Sequence, residues 1–195
     1  REACKVVCND TEVANLLANN LGFNFKFDLK NREYKRIFFI PNTYDQRKFK
    51  YLKKDHLKNN YFFMARNIRK SRGIDKAIYA FAKYRKNGGK NILKVAGGPI
   101  SGKYFKQLKE IVNNLSLQES VIFLGPQTRD KMPQLYRNAC LSIVPSKGYE
   151  GTSIAALESM AVGCPCASTN IGGLKDLPTE KFNEVDELTE IMHNY

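Results

Sequence analysis

Two glutamates eight positions apart lie in the segment whose residue types are best suited to bind a substrate. Glu150 closes a polar run that begins at Ser146, and Glu158 lies in an otherwise apolar stretch. Residues 151–153 lead from a predicted strand into a predicted helix, whose first N–H groups have no backbone partner. We therefore predict an anion site at this helix N-terminus, to which the hydroxyl groups of Ser146 and Thr152 can add donors.

The surroundings of Glu158 require a partner for its carboxylate. Its neighbours in the sequence are mainly alanine, leucine, methionine and valine. A carboxylate among apolar groups is stable only when it is hydrogen bonded or paired, and sugar or ribose hydroxyl groups are suitable donors. The alternative is that Glu158 lies on the solvent-exposed face of the helix.

A loop rich in cations follows the apolar run 61–64. Between Ala65 and Gly73 it contains four of them: Arg66, Arg69, Lys70 and Arg72. Arginine offers a planar fork of donors that matches phosphate oxygens, and lysine supplies a point charge. We interpret the loop as a phosphate clamp, with a solvated basic turn as the alternative. Farther along, Gly97 and Gly98 would let a ligand approach the backbone, although they also suit an ordinary turn.

Short apolar runs alternate with amphipathic stretches along most of the chain. Buried strands are predicted at 6–7, 37–40, 61–64, 92–96, 121–124, 141–144 and 166–168. Helices are predicted from residue 10 or 11 to 22, around 74–82 behind the candidate cap Asp75, at 105–115, after the candidate cap Asp130, at 154–162 and at 186–193.

This alternation predicts crossover units and a parallel sheet covered by helices on both faces, which is an α/β, Rossmann-like fold. Ligands bind such sheets beyond the carboxyl ends of the strands. The three loops singled out above all follow predicted strands, so we expect them to meet at that edge.

Composition limits the classes of partner. The 195 residues are 43% hydrophobic and 26% charged, so a core can be buried and wholesale disorder is excluded. Lysine and arginine number 32 against 19 acidic residues, a net charge of +13 that predicts an anionic partner. No apolar run is long enough to predict a membrane-spanning helix. The chain begins with Arg1 and shows no signal pattern, from which we expect a fragment or processed chain; a cytoplasmic location is expected from the reduced thiols described below.

The positive charge is concentrated in residues 47–72, which hold ten cations and one acid. The stretch 47–60 is interpreted as an interdomain linker. Because residues 47–72 are so strongly positive, an alternative function of the chain is a non-catalytic module that docks on an anionic membrane. Nucleic acid is disfavoured because regularly interleaved aromatic residues are missing from the stretch. The five cysteines have neither zinc-site nor redox-pair spacing, so we expect reduced thiols: Cys4, Cys8, Cys140, Cys164 and Cys166.

The glutamate block resembles a known family. Glu150 and Glu158, within the segment 146–165, are similar to the paired glutamates of retaining, nucleotide-sugar-dependent glycosyltransferases of the GT-B fold, of the group-1 or family 4 type. The segments 40–49, 121–125, 135–139 and 169–174 also match the pattern of that family. The resemblance covers residues 4–174 and concerns the C-terminal, donor-binding half of the fold.

The resemblance implies a fold, a domain organisation and an activity. Residues 1–50 would end the N-terminal acceptor-side domain and form the linker, and 51–195 would form the donor-binding domain. The activity would be retaining transfer of a sugar from a nucleotide-diphosphate donor to an acceptor hydroxyl in glycan, polysaccharide or glycolipid synthesis. The acceptor would be a glycan or a lipid-linked molecule at the cytoplasmic face of a membrane. The enzyme would use no metal or cofactor and would bind no nucleic acid. We expect little transfer by this chain alone; an epimerase on the same fold is an alternative.

The resemblance also implies roles for individual residues. Arg66 and a second cation hold the donor diphosphate; Arg72 is preferred over Lys70 because a glycine follows it. Glu150 contacts the transferred sugar and Glu158 the ribose. The remaining donor-binding residues are predicted around the phosphates and the base: Gly97, Gly98, Gly125, Pro126, Gly151, Thr152 and Ser153.

Three positions depart from the family pattern. Ala65 stands where a glycine usually precedes the arginine, and Thr43 stands where a glycine usually follows Pro41-Asn42. The second cation is one residue farther along than usual.

Overall fold

The computed structural model describes residues 5–52 and 60–195, which form two β-sheets. The first is small: β1 (Val6–Cys8) pairs in parallel with β3 (Ile37–Phe39), which pairs in antiparallel with β2 (Glu33–Tyr34). Helix α1 (Thr11–Asn20) packs on it. The helix begins after Asp10, whose Oδ1 accepts a hydrogen bond from the Val13 N–H at 2.9 Å.

The second sheet has six strands, all parallel, in the order β6-β5-β4-β7-β8-β9. Its strands are β4 (Tyr61–Ala65), β5 (Ile92–Ala96), β6 (Val121–Gly125), β7 (Leu141–Val144), β8 (Cys166–Thr169) and β9 (Glu180–Phe182). The predicted parallel α/β sheet is thereby confirmed.

Helices cover both faces of this sheet. They are α2 (Ile74–Lys86), α3 (Gly102–Asn114), α4 (Met132–Arg137), α5 (Ile154–Ala161) and α6 (Val185–His193). Alternate residues of β4 point to opposite faces: Phe62 and Met64 pack with α2, α3 and α6, whereas Tyr61 and Phe63 pack with α4 and α5. Continuous apolar strands such as β4 are therefore buried on both sides.

Several local predictions were wrong. Val7 and Ile40, predicted in buried strands, are 61% and 57% exposed, because only one face of the small sheet is covered by α1. Asp75 does not cap α2; the helix begins one residue after Gly73, and Asp75 instead accepts from the Tyr104 hydroxyl and the Lys147 ammonium. Asp130 does not cap α4 and pairs with a lysine of the linker. Strands β2 and β9 were not predicted.

The predicted linker is described as far as residue 52, and residues 53–59 lie outside the described part of the chain. Before that point Phe49 is buried against Tyr136, in the core of the second sheet. Within the described residues the four cysteines form no disulfide, and Cys4 lies outside them. No helix in the described part of the chain is long and apolar enough to cross a membrane.

The strand order places a crevice between β4 and β7. The chain passes outward from β4 to β6 on one side and from β7 to β9 on the other, so connections leave the two central strands in opposite directions. Ligands bind at such a switch point, outside the carboxyl ends of the strands. Arg66 directly follows β4, and Ser146 and Glu150 follow β7.

Candidate functional site

The loops after β4, β5 and β6 are joined to one another by backbone hydrogen bonds. The N–H of Arg66 donates to the carbonyl of Ala96 at 2.8 Å, and the N–H of Gly97 donates to the carbonyl of Gly125 at 2.9 Å. A Cβ atom on Gly97 would lie 2.0 Å from the carbonyl oxygen of Arg66, so only glycine allows the two loops to approach this closely. This close approach fixes the backbone position of Arg66.

An ion-pair cluster joins the loops after β4 and β7. The guanidinium of Arg66 donates to both carboxylate oxygens of Glu150, at 3.1 Å and 2.7 Å. Arg72 donates to the same carboxylate, and the Ser146 hydroxyl donates to it at 2.8 Å while accepting from Arg66. The side chains of Arg66 and Glu150 are almost fully buried, and that of Arg72 is partly exposed. One carboxylate thus holds two cations at the mouth of the crevice.

This cluster determines the protonation state of Glu150. Burial alone would raise the pKa of its carboxyl, but the hydrogen bonds and charge of Arg66, the hydroxyl of Ser146 and the charge of Arg72 outweigh burial. The net result is a pKa below the ordinary value of 4.5. Glu150 is therefore ionised at neutral pH.

The two candidates for the second cation lie in different places. The N–H groups of Lys147 and Gly148 both donate to the carbonyl of Ser71, which holds the cationic loop against the loop after β7. In this arrangement Arg72 reaches Glu150, whereas Lys70 lines a separate cavity beside Asp75. The geometry therefore favours Arg72 as the partner of Arg66.

A cavity of about 690 Å³ opens over the cluster. Nine of the twelve predicted site residues line it: Arg66, Arg72, Gly97, Gly98, Pro126, Glu150, Gly151, Thr152 and Ser153. Its volume lies in the range of ligand-binding cavities. Two polar atoms of its lining, Arg66 Nε and Ser153 Oγ, are buried and have no hydrogen-bond partner within the described residues. A buried polar atom without a partner is costly, and both atoms belong to residues that line the cavity.

The start of α5 forms one wall of the cavity. Ser153 precedes the first helical residue, and Gly151, Thr152, Ile154 and Ala155 also line the space. The first N–H groups of the helix therefore face the same cavity as the two guanidinium groups. Both features favour an anion with several oxygens.

A loop after β8 supports Glu150 from behind. The N–H of Gly173 donates to the carbonyl oxygen of Glu150 at 2.8 Å. A Cβ atom on Gly172, whose φ is +48°, would lie 2.0 Å from that oxygen. The glycine pair therefore allows the loop to touch the backbone that carries the carboxylate.

Glu158 lies one turn deeper in α5, outside the lining of the cavity. It is 7% exposed, and its carboxylate lies 3.3 Å from the guanidinium of Arg129, which is largely exposed. Burial raises the pKa of Glu158, and the charge of Arg129 opposes this only in part. The interpretation of Glu158 as a solvent-facing residue is thus wrong. Gly125 also lies outside the lining and supports it through its bond to Gly97.

Two asparagines in the wall of the cavity were missed by sequence reasoning. Asn42 donates from its side chain to the carbonyl of Thr152 at 2.7 Å, and the Thr152 hydroxyl donates to the carbonyl of Asn9. Both asparagines line the cavity and come from the first sheet. Asn9 follows β1 directly, so the rule about strand ends, applied to the small sheet, would have found it.

Among residues 5–52 and 60–195 there is no group of three or more histidine, cysteine, aspartate or glutamate side chains placed to hold a metal ion. The positive charge of the site comes from Arg66, Arg72 and the helix N-terminus. Transfer without a metal or cofactor stays a prediction.

Comparison with known sequences gives the family. A model of Glycosyl transferases group 1 matches residues 45–185. N-acetyl-alpha-D-glucosaminyl L-malate synthase of Bacillus anthracis is 32% identical over 111 residues, which are 57% of this chain and 27% of that protein. D-inositol 3-phosphate glycosyltransferase of Salinispora arenicola is 43% identical over 83 residues, 41% of this chain and 18% of that protein. The chain thus spans about a quarter or less of these two relatives.

Solved structures agree on the fold. Anabaena HepE in complex with UDP superposes with a TM-score of 0.80 at 20% identity, covering 98% of this chain and 54% of that one. The C-terminal domain of a glycosyl transferase group 1 family protein, LpcC of Francisella tularensis, gives a TM-score of 0.65 at 21% identity over 77% of this chain and 86% of that one. The resemblance indicated by the glutamate block is confirmed. Because the family model covers well over half of its length, this chain belongs to the glycosyl transferases group 1 family.

Proposed function

We propose that this chain carries the donor site of a retaining glycosyltransferase, which moves a sugar from a nucleotide-diphosphate donor to an acceptor hydroxyl. The observation that carries the proposal is the cluster of Arg66, Arg72 and Glu150 in the wall of the cavity between β4 and β7. The start of α5 lines the same space. A diphosphate matches the positive charge of the two guanidinium groups and of the helix N-terminus.

The side chains can act on the leaving group in a simple way. When the bond between sugar and diphosphate breaks, negative charge develops on the diphosphate oxygens. Arg66, Arg72 and the first residues of α5 line the cavity in which that charge would develop, and their donors would stabilise it and lower the barrier. The sugar leaves as an oxocarbenium-like species, the acceptor hydroxyl attacks from the same face, and the proton of that hydroxyl passes to the departing diphosphate oxygen. Glu150 contacts the sugar hydroxyl groups.

The acceptor and the location of the protein are further parts of the proposal. The two curated relatives named above are an N-acetyl-alpha-D-glucosaminyl L-malate synthase and a D-inositol 3-phosphate glycosyltransferase by name, so their names do not point to one acceptor. We propose a glycan or lipid-linked acceptor at the cytoplasmic face of a membrane, in polysaccharide or glycolipid synthesis. Since the chain spans only part of its relatives, we expect it to bind nucleotide but to transfer little by itself.

Replacing Arg66 with alanine tests the diphosphate clamp. UDP, GDP and ADP are titrated calorimetrically into the chain, and the nucleotide that binds is used with the variants. We expect affinity to fall by about 10- to 150-fold, the effect of losing hydrogen bonds from a charged donor. The dependence of affinity on salt should also become weaker, because one cation no longer contacts the phosphates.

Arg69 provides the matched control, since it lies in the same loop, is exposed and does not line the cavity. Arg69→Ala should leave affinity within about twofold, as should Lys70→Ala. Equal losses for Arg66→Ala and Arg69→Ala would contradict the clamp and favour a general effect of positive charge.

Glu158 is expected to bind the nucleotide, and the burial of its ionised carboxylate is expected to lower the stability of the folded protein. Because burial raises the pKa of its carboxyl, the ionised form present at neutral pH is disfavoured in the folded protein. Glu158→Gln should raise the free energy of unfolding by about 1 kcal/mol at pH 7. It should also weaken nucleotide binding about fivefold, because a neutral acceptor replaces a charged one.

Urea unfolding and calorimetry measure these two effects, with Glu119→Gln as the control on an exposed glutamate. The gain in stability of Glu158→Gln should shrink as pH falls through the raised pKa. The carboxyl of Glu158 in the native chain then becomes protonated, and no charge is buried. If Glu158→Gln is less stable than the native chain and binds nucleotide equally well, Glu158 is not part of the nucleotide site.

A further inference from the structure

The basic stretch 47–72 is divided by the fold into two parts. Arg66 and Arg72 turn into the crevice and pair with Glu150. The residues before 53 instead pack beside the loop and helix at 129–137: Lys48 pairs with Asp130, and Arg137 donates to the carbonyl of Lys50 at 3.0 Å. Two segments distant in sequence thus form one surface, which we call the basic patch (residues 45–52 and 129–137).

The basic patch carries more positive charge than its own carboxylates balance. It contains six cations and two acids, and the cations are Arg47, Lys48, Lys50, Arg129, Lys131 and Arg137. Lys50 and Lys131 are exposed, and no ion pair joins either of them to an acid of the described chain. Their charges are directed at solvent and are available to an external anion.

Two apolar side chains are exposed at the same place. Tyr51 and Leu52 are 65% and 54% exposed, and they directly follow Lys50. An aromatic and an aliphatic group beside lysines are suited to the boundary between lipid headgroups and acyl chains. A nucleic-acid surface would instead need several aromatic groups for stacking, and Tyr51 is the exposed aromatic side chain of the described patch.

The basic patch borders the donor cavity. The loop from Pro126 to Met132 contributes Pro126, Gln127 and Met132 to the lining of the cavity, and its middle contributes Arg129 and Lys131 to the patch. A flat anionic surface held by the patch would therefore lie close to the opening of the cavity. This position suits an acceptor that is itself embedded in lipid.

We propose that the basic patch docks the protein on an anionic lipid surface, with Tyr51 and Leu52 entering the headgroup region. Each lysine and arginine near such a surface is attracted to it, and salt weakens the attraction. The proposal rests on the charge and exposure of this surface and is independent of the donor site. Docking would give a membrane-bound acceptor a route to the cavity mouth.

Vesicle co-sedimentation tests the proposal. The chain is mixed with vesicles of phosphatidylcholine alone or with about one third phosphatidylglycerol, at low salt and at physiological salt. We expect binding to the anionic vesicles, reduced by salt, and little binding to the neutral ones. Lys50→Glu combined with Lys131→Glu should weaken binding at least about tenfold. Leu52→Ser should weaken it less.

The matched control is Lys103→Glu combined with Lys109→Glu on α3, which changes the net charge by the same amount on an exposed helix face. Equal loss in the two double variants, or equal binding to neutral vesicles, would overturn the proposal. So would binding of an RNA duplex through Lys50 and Lys131 without binding of vesicles. Nucleotide titration of each variant reports on the donor site separately, so failure of lipid docking and failure of the proposed function are distinguishable.

Discussion

Replacing Glu150 with alanine is expected to lower the free energy of unfolding by about 3–5 kcal/mol, the usual cost of removing one partner from a buried ion pair. The change leaves Arg66 buried without an anion and deprives Arg72 and Ser146 of their shared acceptor. Urea unfolding at pH 7 measures the loss. Asp130→Ala is the comparison, because it breaks an exposed ion pair with Lys48 and should cost less than about 1 kcal/mol.

Acidification identifies the source of this stability. Because Arg66, Ser146 and Arg72 hold the pKa of Glu150 below 4.5 despite its burial, the ionised carboxyl stabilises the folded state. Such a contribution is complete above the unfolded pKa and is lost as pH falls through the lower, folded pKa. The difference between native chain and Glu150→Ala should therefore be constant near neutral pH and shrink below about pH 4.5. If the difference in the free energy of unfolding does not change with pH, the loss of stability in Glu150→Ala comes from packing and not from the ion pairs.

Pyrophosphate provides a second measurement on the same variant. It carries the diphosphate charge without sugar or base, and a ligand that binds only the folded state stabilises that state by an amount that rises with the logarithm of its affinity. Glu150→Ala frees both guanidinium groups from their internal anion. Added pyrophosphate should therefore raise the melting temperature of the variant more than that of the native chain. Equal shifts would mean that Glu150 and pyrophosphate do not compete for Arg66 and Arg72.

The elements of the second sheet and the central part of the site were predictable for one physical reason. A strand buried on both faces requires a continuous apolar run, and Tyr61–Ala65 and Leu141–Val144 have one. Parallel strands then place the following loops at one edge, so Arg66 and Glu150 had to be near each other. The sequence pattern therefore predicted that two loops about 80 positions apart meet at one edge, and in the structure Arg66 and Glu150 join them directly.

The rest of the site depends on contacts that local pattern does not encode. Asn9 and Asn42 reach the cavity only because the residues that follow β1 and β3 lie against the segment before α5, with Thr152 bonded to both. Asp75 and Asp130 were assigned to helix caps from their spacing, but each found a lysine from a distant segment. Lys70 and Arg72 differ by two positions, and the conformation of that loop decides which of them reaches Glu150.

The glycine behind Glu150 allows a sharp test of how rigidly the site must be held. Gly172→Ala is expected to lower the free energy of unfolding by about 2–5 kcal/mol, from overpacking together with a positive φ. Its Cβ would lie 2.0 Å from the carbonyl oxygen of Glu150, and backbone cannot rotate away as a side chain can. The main chain of Glu150 must therefore shift.

Gly22→Ala separates the two causes. Gly22 has a φ of +70°, and a Cβ there would meet nothing within 4 Å, so this variant bears the backbone strain alone, about 1 kcal/mol. Urea unfolding gives both stabilities, and nucleotide titration gives both affinities. Gly172→Ala should lose at least tenfold in nucleotide affinity while Gly22→Ala keeps it, because a shift of Glu150 moves Arg66 and Arg72 with it. Equal stability losses in the two variants would mean that the loop after β8 yields to the methyl group, and the position of Glu150 would then have to be set by its ion pairs alone.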